Sequence, residues 1–150
     1  MIVVPWFEAA ARFCAERIEG TERADFDPGE GAVVMDGNKI VAAAVYHQYR
    51  PSNRTIEMSI AADHPRWATR GTIKQLLAYP FSQLGCIKVV ALIMADNWRS
   101  IKLVQGLGFE REALLKRHAS GRDLVVCSMF VETWLERWSS DGRQEFSQSA

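Results

Sequence analysis

The chain has 150 residues, 48% of them hydrophobic, with 18 Lys+Arg against 18 Asp+Glu. That length suits one domain with a sizeable core, and the balanced charge argues against a broad nucleic-acid surface while leaving room for a local basic patch. No window is long and apolar enough to span a bilayer, and the start Met1-Ile2-Val3-Val4-Pro5 lacks the basic region and apolar run of a signal peptide. Cys14, Cys86 and Cys127 have neither metal-ligand spacing nor the even count of a disulfide framework. The expectation is reduced thiols in a cytoplasmic protein, with no metal site and no nucleic-acid or membrane partner.

Ile2-Val3-Val4 reads as a short strand closed by Pro5. Phe7, Ala10 or Ala11, Cys14 and Ile18 then recur at helical spacing up to Gly20, with Trp6 and Phe13 expected in the core. Residues 21–31 are polar, contain Pro28-Gly29, and read as a loop. The period then changes to two. Ala32-Val33-Val34-Met35 meets the hairpin turn Asp36-Gly37-Asn38 and returns as Lys39 to His47. After a loop over residues 49–53, Arg54 to Ala62 forms a third strand. Thr55, Glu57 and Ser59 face one side of it, and Ile56, Met58 and Ile60 the other. A helix runs from about Thr69 to about Leu84, bent at Pro80 and stopped by Gly85. Ile87 to Met94 is a near-continuous apolar strand, expected to be buried on both faces. Asp96 or Asn97 caps a short helix, Trp98 to Gln105. Two extended segments follow, Phe109 to Ala119 and Asp123 to Val131, with Cys86 and Cys127 both placed in strands. A helical turn, Glu132 to Trp138, comes last, and its Trp134 and Trp138 pack on the sheet or on a second copy in a homodimer. Residues 1–138 read as a single domain, with a polar tail, 139–150, expected to be disordered. Runs of strands with helices packed on them make a mixed α+β fold.

The most informative stretch runs from Ile56 to Leu84. A strand enters a polar, basic turn that feeds a helix N-terminus, where unpaired backbone N–H groups and the helix dipole make a natural anion site. Arg66 and Arg70 oppose that dipole and are best explained by a bound anion. Glu57, on the polar row of the central strand, is the best candidate for a general base. Its other reading is a partner for a neighbouring strand's Arg or Lys, or a member of a solvated sheet face. His47 is the weaker alternative base, and His118 lies where an acceptor site could form.

Three features resemble the GCN5-related N-acetyltransferase (GNAT) superfamily: the element order, the turn-to-helix window, and Asn97-x-x-Ser100 followed by Gly108-Phe109. The run Tyr79-Pro80-Phe81-Ser82-Gln83-Leu84-Gly85 is similar to the branch that acetylates ribosomal-protein N-termini. The resemblance implies a mostly antiparallel central sheet flanked by helices. It also implies transfer of acetyl from acetyl-CoA to a primary amine by direct attack in a ternary complex. The amine would belong to a protein N-terminus, a lysine or a small molecule.

In that family the strand before the turn pairs with the pantetheine arm, a place held here by Ile60, Ala61 and Ala62. The pyrophosphate would sit on backbone N–H groups of the turn Arg66-Trp67-Ala68-Thr69-Arg70-Gly71. Anchored on Tyr79 and Phe81, Arg66-Trp67-Ala68 stands where Gly-x-Gly/Ala is usual. Other registers begin at Arg66 or at Gly71. Arg66 in the glycine position either obstructs the anion or pairs with it. Asn97 would bond the pantetheine arm, cap the helix, or do both. Val104 occupies the position of the family's tyrosine acid, and Ser100 matches the serine of the N-terminal-acetylating branch, so the catalytic pair implied is Glu57 and Ser100. Trp98 and Lys102 would meet the adenine and 3′-phosphate end. The incomplete signature and the missing tyrosine support a second reading, a catalytically degenerate CoA-binding or protein-interaction module.

Overall fold

The computed structural model describes residues 1–139. The tail expected beyond Trp138 therefore lies outside the described residues, apart from Ser139. The elements are β1 (Ile2–Pro5), α1 (Phe7–Arg17), a 3-10 turn (Arg23–Phe26), β2 (Gly29–Asp36), β3 (Lys39–Arg50) and β4 (Thr55–Ala62). There follow a 3-10 turn (Pro65–Trp67), α2 (Arg70–Ala78), a π-helical turn (Tyr79–Gln83), β5 (Lys88–Met94), α3 (Trp98–Leu107), β6 (Glu110–Ala119), β7 (Arg122–Phe130) and α4 (Val131–Arg137). The seven strands form one sheet in the order β1-β2-β3-β4-β5-β7-β6. Every neighbouring pair is antiparallel except β4 and β5, which the α2 crossover makes parallel. The fold class is the mixed α+β expected from the sequence.

Helices cover both faces. On one, Ala10, Ala11, Phe13 and Cys14 of α1 pack with Phe26 on Val33, Ala43, Val45 and Ala61. On the other, Trp67, Ile73, Leu76, Leu77 and Phe81 pack on Val34, Ala44, Ile56, Met58 and Val89. The alanine run Ala42-Ala43-Ala44 at the centre of β3 serves both layers. Small side chains let helices approach the sheet closely from either side.

Several expectations from the sequence need correction. β2 starts at Gly29, inside the segment expected to be a loop. A Cβ on Gly29 would lie 2.5 Å from the Phe26 carbonyl oxygen, and one on Gly31 would lie 2.9 Å from the Ala10 Cβ. These glycines mark close packing of a strand, not a flexible linker. β3 runs through to Arg50 across a bulge at Gln48, whose φ is +53°. β5 is half-buried from Leu92 to Met94, because only its first three residues pair with β4. Cys86 lies in the turn before β5, although buried. Trp6 is 52% exposed, because it sits at the junction before α1 begins. Trp134 stacks on Phe81 at 5.4 Å between ring centroids, and the Trp138 indole N–H donates to the Leu107 carbonyl. α4 is thereby packed on the α2 and α3 layer. Among the described residues, no helix is long and apolar enough to cross a membrane, and no cluster of His, Cys, Asp or Glu could hold a metal ion.

Candidate active site

β4 and β5 pair only over Thr55↔Lys88, Ile56↔Val89 and Glu57↔Val90. β5 stays in the sheet through Met94 by pairing with β7, and β4 stays through Ala62 by pairing with β3. The two central strands therefore part beyond Glu57. The gap opens into a cleft of about 880 Å³ whose walls include Ile60, Ala61 and Ala62 of β4, Ile93 of β5, and Asn97 and Ser100 of α3. Backbone groups on the inner edges of both strands lose their ladder partners there, so the cleft offers main-chain donors and acceptors to an extended ligand. Glu57 stands at the vertex.

The turn at the end of β4 is more closed than a glycine-rich loop. The Arg66 N–H donates to His64 Nδ1 at 3.1 Å, the Trp67 N–H to the His64 carbonyl, and the Thr69 N–H to the Trp67 carbonyl. Thr69 caps α2 by accepting from the Thr72 N–H at 3.2 Å. The Trp67 side chain is buried in the core at 2% exposure, while Ala68 packs against its edge. Gly71 faces open space, with no atom within 4 Å of where a Cβ would sit. The two arginines separate. Arg70 donates to the Arg137 carbonyl at 2.9 Å and lies over the Trp138 ring, so its charge is engaged by α4. Arg66 is exposed.

Glu57 is half-buried, and burial raises its carboxyl pKa while Arg50 and His118 pull the other way. It opposes His47 in the β3–β4 register, and His47 Nδ1 lies 3.7 Å from Glu57 Oε2. Its near neighbour is thus a histidine, not the Arg or Lys of the structural reading, and Arg50 of the neighbouring strand acts on it only through charge. Burial also lowers the His47 pKa, which favours the neutral ring. His64 caps the 3-10 turn from the cleft wall.

On the far wall Asn97 caps α3, its Oδ1 accepting from the Ser100 N–H at 3.3 Å. Its amide NH₂ remains as a donor. Ser100 is half-buried on the first turn of α3, and Val104 lies one turn further along the same wall, buried. Trp98 is 60% exposed, with the Lys102 and Arg99 cations close to its ring.

Sequence reasoning missed the braces at the cleft. Arg17 of α1 holds Asp63 with two bonds, Nε–Oδ1 at 2.6 Å and Nη2–Oδ2 at 2.9 Å. Arg122 pairs with Glu19 and with Asp96, the latter at 2.6 Å. All five of these residues line the cleft. They come from widely separated parts of the chain, and no local pattern marks them. Ser59 was legible only as a member of the Glu57 row. Its contact with His47, Nε2 to Oγ 2.9 Å, depends on the strand register.

No family model matches the chain. The uncharacterized N-acetyltransferase YoaA of Bacillus subtilis (strain 168) is 23% identical over 86 residues, covering 55% of this chain and 49% of that protein. The chain thus matches about half the length of this curated relative. A chimera of spermidine N-acetyltransferase SpeG from Vibrio cholerae with hSSAT superposes with a TM-score of 0.70 at 16% identity, covering 91% of this chain and 100% of that one. A dodecameric spermidine N-acetyltransferase from Vibrio cholerae gives 0.69 at 16% identity, covering 91% and 96%. The chain therefore has the fold of the GNAT-type N-acetyltransferases.

Proposed function

We propose that the protein is an acyl-CoA-dependent N-acyltransferase that moves acetyl from acetyl-CoA to a primary amine within a ternary complex. One observation carries this reading: β4 and β5 separate immediately beyond Glu57 and frame a cleft that ends at the turn of His64, Pro65 and Trp67, ahead of α2; Arg66 and residues 68–71 do not line it. The cleft suits an extended ligand with amide groups along its arm and an anion at its end. Along Ile60, Ala61 and Ala62 the edge of β4 turned away from β3 has no strand partner, and the Asn97 amide donates from the opposite wall. In this reading the anion lies beyond the cleft's lined end, on the N-terminal turn of α2 near Gly71, with Arg66 supplying charge.

Acetyl-CoA supplies an activated thioester carbon: the new C–N bond forms there as the C–S bond breaks. Glu57 removes a proton from the amine. Its raised pKa fits that task, since a base works best with a pKa near the operating pH. Ser100 donates a hydrogen bond toward the departing sulfur. Holding both reactants in one cleft provides the remaining acceleration.

For the acceptor, the Tyr79 to Gly85 run favours a protein N-terminus, while the names of the structural neighbours favour a polyamine. The closed turn before α2 and Val104 in place of a tyrosine favour a second reading, a binding module without turnover. Thermal unfolding with acetyl-CoA separates these readings from a chain that has lost the ligand. Stabilisation is expected, and no shift at millimolar concentration overturns both. Thiol release with spermidine, lysine and a short peptide amine then divides enzyme from module.

A further inference from the structure

Beside the cleft, three side chains from two strands form a row on the α1 face of the sheet. His47 and Glu57 are register partners, and Ser59 follows Glu57 on the same side of β4. Ser59 Oγ lies 2.9 Å from His47 Nε2, and His47 Nδ1 lies 3.7 Å from Glu57 Oε2. Ser59 lines the cleft, whereas His47 sits behind it with 12% of its side chain exposed. His47 Nδ1 is buried and lacks a hydrogen-bond partner. Such a group needs an explanation; Glu57 Oε2, 3.7 Å away and just outside hydrogen-bond distance, is the acceptor that a proton on Nδ1 meets after a small side-chain shift. Nε2 then becomes the acceptor, and the Ser59 hydroxyl donates to it.

The surroundings hold this arrangement in place. The Phe26 ring meets the imidazole edge-on, with centroids 5.2 Å apart, and Gly29 lets the Phe26 turn lie against the strand. Gln48, directly after His47, has a left-handed φ of +53° at a shift in the β3–β4 register. Arg117, directly before His118, has φ +56° at a shift in the β6–β7 register. Both histidines that bear on Glu57 thus adjoin irregularities, which re-aim side chains and are kept where they are used. The charged and titratable groups facing Glu57 are Arg50 and His47 of β3 and His118 of β6. Among the described residues, Glu57 of β4 faces His47, and the apolar Phe26 packs on it from the 3-10 turn.

We propose that Ser59 and His47 form a proton relay between the cleft and Glu57; this rests on the reading of the cleft as an acyl-transfer site with Glu57 as its base. An ammonium proton passes to Ser59 Oγ as the hydroxyl proton passes to His47 Nε2 and the Nδ1 proton passes to the Glu57 carboxylate. Serine and histidine end neutral, Glu57 ends protonated, and the amine lone pair is free. Run in reverse, the chain delivers a proton from Glu57 through His47 and Ser59 to the departing thiolate. That return restores the first tautomer and provides an acid where Val104 replaces the family's tyrosine; the second proton, left on nitrogen as the C–N bond forms, departs to water.

Two measurements test the relay. Long-range nitrogen-15 NMR on the whole protein reads the tautomer of His47, distinguished from His64 and His118 by His47→Gln. The expected state near pH 7 is neutral with the proton on Nδ1; a proton on Nε2, or a charged ring, overturns the relay. In steady-state kinetics with acetyl-CoA and spermidine, Ser59→Ala and His47→Gln are expected to lower kcat about 10²-fold with the KM for acetyl-CoA unchanged. Ser59→Thr, which keeps the hydroxyl, should restore most of the rate across the pH profile. Wild-type kcat in Ser59→Ala at all pH values overturns the relay alone. Absence of acetyl-CoA binding overturns the acyltransfer reading and the relay with it. If acetyl-CoA binds without spermidine turnover, the tautomer decides. Should His47→Gln fail to fold, Ser59→Ala and the NMR of the wild-type protein still do so.

Discussion

The Tyr46 hydroxyl donates to the Leu76 carbonyl at 2.5 Å, joining β3 to α2. The reason lies four residues further on. Pro80 has no N–H, so the Leu76 carbonyl has lost its helical partner, and the chain continues through a π turn closed by the Leu84 N–H on the Tyr79 carbonyl. Tyr46→Phe would leave that carbonyl buried and unpaired, at about 1–3 kcal/mol. Urea unfolding should show the loss as a lower midpoint with an unchanged slope. In a Pro80→Ala background, where a backbone donor returns, the same substitution should cost less. Equal costs in both backgrounds would disconnect Tyr46 from the proline.

Glu57 places activity and stability in opposition. Its folded pKa is raised, so the native state binds this proton more tightly than the unfolded chain does. Stability is therefore lost as pH rises from about 4.3, the unfolded value, through the folded pKa. Glu57→Gln should raise Tm at neutral pH, and the difference should vanish in acid. The same variant should lose roughly 10²–10⁴-fold in acetyl transfer at neutral pH, with a smaller deficit at high pH, where the amine arrives deprotonated. An unchanged pH–rate profile would remove Glu57 from the mechanism.

Two glycines should respond oppositely to alanine. At Gly71 the added methyl meets nothing within 4 Å, so the apo protein should gain up to about 1 kcal/mol from helix propensity. If an anion approaches the backbone there, acetyl-CoA affinity should fall. Unchanged affinity by calorimetry would argue that the anion lies elsewhere. At Gly29 the methyl would meet backbone oxygens at 2.5 and 2.8 Å. We expect about 3 kcal/mol of destabilisation or more, read by thermal unfolding.

The thiols should be silent in the native protein. Cys14, Cys86 and Cys127 are all buried, and burial raises each pKa, that of Cys14 to about 12. A thiol-reactive dye near pH 7.5 should label none of them until denaturant is added, because the thiolate is the reactive form. Rapid labelling of the folded protein would contradict the packing around α1 and β7. The same silence lets CoA release be followed without background.

The sequence by itself determined the element types, the Asp36-Gly37-Asn38 hairpin, the two faces of β4, the break at Pro80 and the placing of Glu57 and Ser100. These rest on periodicity, turn chemistry and capping, which act over a few residues, and the family resemblance added the expected use of the strand, turn and helix. Even locally, Gly29-Glu30-Gly31 resisted reading, because glycine in a tightly packed strand has the same composition as a loop. Only the tertiary structure decided where β4 and β5 part, how the cleft is braced by Arg17–Asp63 and by Arg122, and that Arg70 turns to α4 while Arg66 stays exposed. The same holds for Ser59, His47 and Glu57. They lie up to twelve positions apart in sequence, and a one-residue slip in pairing would send them to opposite faces. Strand register, a property of the whole sheet, is what joins them.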